Sequence, residues 1–132
     1  MKYISTRSKI EPINSAEAIL QGLAADGGLF VPEKIPKVSL EEIGDLQTKT
    51  YEQRATWLLK KFLTDYTDDE LGECAELAYN WFDVEKRVPV MILIQDPANP
   101  VAPVGSMELW HGPTSALKTL HCKCCRTLCA WL

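Results

Sequence analysis

The sequence lacks any apolar run long enough to cross a membrane. A membrane-spanning helix needs roughly 20 apolar residues. The longest run here, residues 88–94, is short and contains Pro89. Residues 1–7 also lack the apolar segment and the small-residue cleavage site of a secretion signal. We therefore expect a cytoplasmic protein that has no membrane partner.

Concentrated positive charge is also missing. The 14 Lys and Arg residues are outnumbered by 18 Asp and Glu residues, which gives a net charge of -4, and the positive residues are scattered along the chain. Binding to nucleic acid needs a clustered basic surface, so we expect no DNA or RNA partner. With 46% hydrophobic and 24% charged residues, the composition is that of an ordinary globular protein.

Cysteine is nearly absent until the end of the chain. Cys74 stands alone on the apolar face of a predicted helix, where it is interpreted as a small core residue. A candidate zinc site with poor spacing is formed by the remaining four and a histidine: His121, Cys122, Cys124, Cys125 and Cys129. We predict no metal site, but a small Cys/His metal-binding tail stays open as an alternative. A disulfide framework is disfavoured, because nothing else indicates an oxidising compartment.

Four helices are predicted from capping signals and apolar spacing. The capping boxes are Asn14 with Glu17, Ser39 with Glu42, and Thr67 with Glu70. The helices that they open are expected to run to Gly27, Leu46 and Phe82. A further helix is indicated by apolar residues at helical spacing from Tyr51 to Phe62.

Short strands are predicted over residues 2–7, 28–32, 90–94 and 106–110, which favours an α+β fold. Residues 96–100 contain two prolines and form a linker that cannot stay helical. A domain boundary is placed there. His111 to Thr114 is expected to turn from the last strand into the start of a helix.

Three stretches of the sequence resemble threonine synthases. Residues 108–118, Glu-Leu-Trp-His-Gly-Pro-Thr-Ser-Ala-Leu-Lys, are similar to the signature of the cofactor lysine in that family. The other two are residues 3–7 and the stretch from Ala18 to Pro32. Together the three stretches extend the resemblance over residues 1–116.

The resemblance implies a fold and a reaction. Residues 1–96 would be the small, helix-rich amino-terminal domain, residues 97–118 the start of a pyridoxal-phosphate fold type II α/β domain, and residues 119–132 an aberrant Cys-rich tail. The family converts O-phospho-L-homoserine and water to L-threonine and phosphate. Lys118 matches the lysine that binds pyridoxal phosphate, so it is the predicted catalytic and cofactor-binding residue.

Other interpretations of the motif residues stay open. Lys118 taken alone would be a surface lysine, and only the motif argues otherwise. His111 is either a turn histidine bonded to backbone or part of the catalytic machinery, and Thr114 is either a helix cap or a ligand. Arg7 either meets a substrate anion or is solvated or ion-paired. The family usually has glycine where this chain has Ser8.

Past Ala116 the pattern of the family is lost, and a shifted reading frame explains this. If one T is restored in the codon of Leu117, permitted codons for residues 117–126 encode Phe-Lys-Asp, a variable residue, and Ala-Leu-Gln-Met-Leu-Pro. Our hypothesis is that residues 117–132 are an out-of-frame tail, and that Lys118 is a lysine by coincidence of that frame. We expect the chain alone to be inactive; the alternative is a non-catalytic remnant or interaction domain.

Overall fold

The computed structural model describes residues 1–83, 87–94 and 104–115 and also Leu128. These residues form four helices and four short strands. The elements in chain order are β1 (Tyr3–Ser5), α1 (Ser15–Gln21), β2 (Phe30–Pro32), α2 (Leu40–Asp45), α3 (Tyr51–Phe62), α4 (Asp68–Tyr79), β3 (Val90–Ile94) and β4 (Val104–Met107). A 3₁₀ turn, Leu46–Thr48, follows α2. The predicted α+β class is confirmed for this part of the chain.

All three predicted capping boxes are present. Asn14, Ser39 and Thr67 each accept a hydrogen bond from the backbone N–H three residues later, and the glutamate at that position accepts one in return. Thr50 and Gln53 form a fourth box at the start of α3, which the sequence analysis had missed. Each box satisfies two of the N–H groups that would otherwise lack a partner at a helix start.

The helix ends differ from the prediction. α1 ends at Gln21 and not near Gly27, because Gly22 adopts φ +69° and the chain then turns back to form an antiparallel bridge between Leu23 and Leu29. A left-handed residue stops a helix, and glycine reaches that conformation without a steric penalty. α4 ends at Tyr79, three residues before the predicted end.

The core lies where α3 packs against α4. Leu71, Cys74, Ala75 and Ala78 on one face of α4 are fully buried, which confirms the interpretation of Cys74. Other members of this buried cluster are Leu63, Tyr66, Tyr79, Phe82 and Leu128. The rings of Tyr51 and Tyr79 meet edge to face with centroids 4.9 Å apart. Apolar residues spaced along two helices thus account for the centre of the fold.

The turn between α3 and α4 also fixes the amino-terminal segment. Asp65 accepts a 2.7 Å hydrogen bond from the backbone N–H of Ala16 and a second bond from the hydroxyl of Ser15, so its carboxylate lies at the start of α1. A negative charge at a helix amino terminus is favourable. Tyr3 in β1 donates through its hydroxyl to the carbonyl of Phe62 at 3.2 Å. These contacts hold β1 and α1 against the pair formed by α3 and α4.

β3 and β4 form an antiparallel hairpin. The register pairs Val90 with Met107 and Ile92 with Gly105, with an irregularity between Ile92 and Ile94. The second strand was predicted at residues 106–110, but it ends at Met107. Pro89 has no N–H to continue the ladder, so Glu108 donates a single 2.9 Å hydrogen bond to its carbonyl and the chain leaves the sheet.

Candidate functional site

The candidate site is the turn that follows β4, residues 111–115. The backbone N–H of Ser115 donates to the carbonyl of Gly112 at 2.9 Å, and Gly112 is buried. Ser115 has φ +51°, a left-handed conformation that non-glycine residues seldom adopt. The predicted turn is confirmed. The helix expected after it lies outside the described residues.

His111 is held by two carboxylates at the start of this turn. Its Nδ1 lies 3.0 Å from Oδ1 of Asp83, and its Nε2 lies 2.8 Å from Oε2 of Glu108. The backbone adds a third link, since the N–H of Asp83 donates to the carbonyl of His111 at 3.3 Å. The side chains of His111 and Glu108 are only 15% and 13% exposed, whereas that of Asp83 is 73% exposed. The turn is thereby tied to the segment that follows α4.

This geometry favours the protonated form of the imidazole. An ionised carboxylate can only accept a hydrogen bond, so each ring nitrogen must carry a proton to bond its partner. The hydrogen bond with Glu108 and then the hydrogen bond and charge of Asp83 raise the pKa of His111 above its ordinary value, although desolvation opposes the shift. An imidazolium with both protons engaged has no lone pair to offer. While both ring protons are engaged in this way, the imidazole can act neither as a general base nor as a metal ligand.

The two amino-terminal stretches of the resemblance meet in a second cluster. Asp26 accepts through Oδ1 from the hydroxyl of Ser5 at 2.7 Å and from the N–H of Gly28 at 2.9 Å. Its Oδ2 accepts from the N–H of Lys9 at 3.2 Å. The bond from Ser5, followed by these backbone bonds and the charge of Arg7, lowers the pKa of Asp26. The cluster joins the end of β1 to the loop before β2.

Arg7 and Ser8 lie beside this cluster. Arg7 is exposed, and its Nη1 donates to the carbonyl of Asp26 at 3.1 Å, so part of its guanidinium holds the loop together. Ser8 adopts φ +53°. The position where the family usually has glycine therefore has a left-handed backbone here, which serine adopts at a cost in strain.

The structure brings some of the predicted site residues together and leaves others outside. His111 and Thr114 lie in the same turn, and Thr114 is exposed. Lys118 and the cluster of His121 and the four cysteines near it fall outside the described residues. Asp83 was missed by the sequence analysis, because it lies in an irregular segment after α4 and no motif marks it.

Two kinds of feature are absent from the described residues. In the described ranges no group of three or more His, Cys, Asp or Glu side chains is arranged to hold a metal ion. None of the helices described here has both the length and the apolar character needed to span a bilayer.

Comparisons with known proteins agree with the resemblance. The family model described as the threonine synthase N terminus matches residues 2–79. Threonine synthase of Pseudomonas aeruginosa is 34% identical over 119 residues, with 89% of this chain and 24% of that protein covered. Threonine synthase-like 1 of Mus musculus is 38% identical over 130 residues, covering 89% of this chain and 16% of the relative.

Solved structures show the same fold. The crystal structure of PLP-bound threonine synthase from Brucella melitensis superimposes with a TM-score of 0.87 at 29% identity, covering 99% of this chain and 27% of that one. The threonine synthase from yeast gives 0.87 at 28% identity, covering 98% and 26%. The chain belongs to the threonine synthase family. It spans about a quarter of the length of the threonine synthases that it matches.

Proposed function

We propose that this chain is the amino-terminal portion of a threonine synthase that converts O-phospho-L-homoserine and water to L-threonine and phosphate. The observation that carries the proposal is the turn at residues 111–115, which follows β4 after residues 108–110 and is held by the hydrogen bonds of His111. The motif places the cofactor lysine just beyond such a strand-to-turn junction. Family membership and the fold shared with a PLP-bound threonine synthase support the same activity.

Lys118 is the residue proposed to hold pyridoxal phosphate. The described turn ends at Ser115, three positions before Lys118 in the sequence, which supports this assignment. When bound, the cofactor withdraws electrons from the substrate carbons next to the amino group. The described residues support this junction. β4 leads into it, Gly112 is buried in the turn, and the hydrogen bonds between His111 and Asp83 tie the turn to the segment that follows α4.

The division into domains is part of the proposal. Residues 1–96 form the amino-terminal domain, and residues 97–118 begin the fold type II cofactor domain. The antiparallel pairing of β3 with β4 crosses this boundary, so the hairpin connects the two parts. Residues 119–132 are proposed to be an out-of-frame tail. Sequencing the gene tests this, and unrelated codons with no synthase-like continuation in another frame contradict it.

The activity is tested by restoring the proposed frame. Inserting one T in the codon of Leu117 makes residues 117–119 Phe-Lys-Asp, so that position 118 is still a lysine. We expect this longer product to release phosphate from O-phosphohomoserine when pyridoxal phosphate is present. The matched control is the same product with Lys118→Ala, which should release none. A folded longer product without activity, or activity that survives Lys118→Ala, contradicts the proposal.

The chain of 132 residues gives a second test. The cofactor also needs a phosphate-binding loop and a partner for its ring nitrogen, which the resemblance places downstream. We therefore expect no specific absorption band from lysine-bound pyridoxal phosphate when the chain alone is incubated with the cofactor. A band that Lys118→Ala removes would show that this short chain already holds the cofactor.

A non-catalytic interaction domain is the second candidate. It is favoured by the hairpin, where Val90, Met91, Ile92 and Leu93 are each more than half exposed. Apolar surface of this kind is typical of a binding face. Failure of the restored-frame product to catalyse, together with a well-folded chain, would favour this candidate.

A further inference from the structure

The bonds of His111 join three parts of the chain that are distant in sequence or lie in different elements. Asp83 comes from the segment after α4, Glu108 is the first residue after β4, and His111 begins the turn. The two carboxylates approach opposite sides of one ring. Neither can donate a hydrogen bond when ionised, so the arrangement exists only while both ring nitrogens carry protons.

We propose that His111 is a cationic positioning residue that clamps the turn preceding Lys118 against the segment that follows α4, and that the clamp loosens when the imidazole loses a proton. The significance of the turn rests on the proposed function, because only that function makes Lys118 the cofactor lysine. The clamp itself depends on the contacts of Asp83, His111 and Glu108 alone.

The groups around the ring favour the cation. Asp83 and Glu108 are both negative, and the ring of Trp110 lies with its centroid 5.6 Å from that of His111. An aromatic neighbour adds no charge of its own and tolerates a cation. Glu108 is the more shielded carboxylate, at 13% exposure against 73% for Asp83, so its interaction is less weakened by solvent.

Loss of one proton replaces a donor by a lone pair that faces a carboxylate. One of the two hydrogen bonds is then lost, and the lone pair of that ring nitrogen repels the carboxylate oxygen that it faces. The remaining bond can orient the ring, but it no longer joins both carboxylates. A backbone hydrogen bond, from the N–H of Asp83 to the carbonyl of His111, joins the same two residues as the side-chain bond at Nδ1. The protection of the Asp83 amide against hydrogen exchange therefore reports whether the clamp is closed.

The first experiment is an NMR titration of the full chain. The protein has only two histidines, His111 and His121, and His121→Gln assigns their ring signals. We expect the ring of His111 to keep both protons to a higher pH in the folded chain than in the same chain unfolded in urea. Glu108→Gln should lower the pKa of His111 more than Asp83→Asn does. A titration identical in folded and unfolded chains overturns the proposal.

The second experiment separates positioning from packing. As pH rises through the titration of His111, the protection factor of the Asp83 amide should fall by about threefold or more, the scale of one partly exposed ion pair. The matched control is the Gly22 amide, bonded to the carbonyl of Ala18 in α1, whose protection should stay constant. Asp83 protection that does not follow the titration overturns the proposal.

Two substitutions at position 111 complete the test. His111→Arg keeps a fixed positive charge with several donors, so we expect the Asp83 amide to stay protected and its protection to lose its pH dependence. His111→Gln is neutral and should lose that protection at every pH. Equal loss in both variants means that the ring only fills space, which overturns the positioning role.

These outcomes are independent of catalysis. The titration and exchange measurements use no cofactor and no substrate, and His111 does not contact either in the proposed mechanism. A closed clamp in a protein that never binds pyridoxal phosphate leaves this inference standing while the proposed function fails. If the restored-frame enzyme is active but the titration and exchange measurements show no clamp, this inference fails and the proposed function stands.

Discussion

Ser5 and Asp26 are 21 positions apart in the sequence, yet the hydroxyl of Ser5 donates to the carboxylate of Asp26 at 2.7 Å. Gly28 lies directly against this bond: a Cβ atom built there would be 2.1 Å from the Ser5 oxygen and 3.0 Å from Oδ1 of Asp26. Ser5 is almost fully buried, so it has no free space into which to retreat. The loop between α1 and β2 therefore closes on β1 only with glycine at position 28.

We expect Gly28→Ala to lower the free energy of unfolding by about 1–3 kcal/mol, the usual cost of forcing an extra methyl group into a packed site. Urea denaturation followed by circular dichroism measures it. The matched control is Gly72→Ala within α4, where a Cβ atom meets nothing within 4 Å. That change should stabilise the chain by about 0.5–1 kcal/mol, because alanine is the better helix former. Equal effects of the two changes would contradict the close contact.

Asp26 should make stability depend on acid pH. Its pKa is lowered in the folded chain, first by the hydrogen bond from Ser5. Such a group contributes stability above its unfolded pKa, and the contribution is lost as pH falls through the lower, folded value. We expect Asp26→Asn to flatten the fall in unfolding free energy between roughly pH 5 and pH 2. An unchanged acid profile in this variant would assign the loss of stability to other carboxylates.

The centre of the fold should be sensitive to the volume of one residue. Leu71 in α4 is fully buried in the cluster between α3 and α4. Leu71→Ala should cost about 2–5 kcal/mol, from lost burial and the cavity that remains. Leu40 in α2 is 87% exposed, so Leu40→Ala should stay within about 0.5 kcal/mol of the parent protein. Thermal and urea unfolding of both variants measure the contrast.

Local signals predicted much of this fold. The three capping boxes were visible because the residues that make them are three positions apart, and Tyr51 to Phe62 formed a helix as their spacing predicted. Positions determined by backbone conformation or by distant partners were harder to predict. α1 stopped early because Gly22 adopts a left-handed conformation, and β4 ended early because Pro89 cannot donate to its neighbour.

In the candidate site too, contacts between residues distant in sequence could not be predicted. The motif of residues 108–118 indicated the turn and drew attention to His111, since these residues are consecutive. It gave no indication that Asp83, 28 positions earlier, would bond the same ring. That contact depends on how the segment after α4 meets the end of β4. Only the three-dimensional arrangement brings these segments together.

The hairpin formed by β3 and β4 should promote self-association of the chain. Met91 and Leu93 are 54% and 60% exposed, and within the described part of the chain the outer edges of both strands have no strand neighbour. Exposed apolar strands with open edges pair readily with other chains. We expect the apparent mass in sedimentation to rise with concentration, and the double variant Met91→Lys with Leu93→Lys to suppress the rise. Leu77→Lys, on α4 with 50% exposure, is the control and should not suppress it.

Leu128 gives the sharpest test of whether the last segment takes part in the fold. It is 3% exposed and belongs to the same buried cluster as Leu71 and Cys74. If the side chain completes this cluster, Leu128→Ala should lower the free energy of unfolding by about 2–5 kcal/mol. Leu128→Asp should destabilise the chain further, because it buries a charge without a partner.

The control is Leu77→Asp, since Leu77 is 50% exposed and can present a carboxylate to water. A frameshifted origin and a packed tail are compatible, because a segment encoded by accident can still supply one leucine to an open apolar site. Urea unfolding shows whether Leu128 contributes to stability, when the parent chain is compared with Leu128→Ala, Leu128→Asp and Leu77→Asp. If the two Leu128 variants unfold like the parent chain, the cluster is complete without this residue and the tail adds nothing to stability.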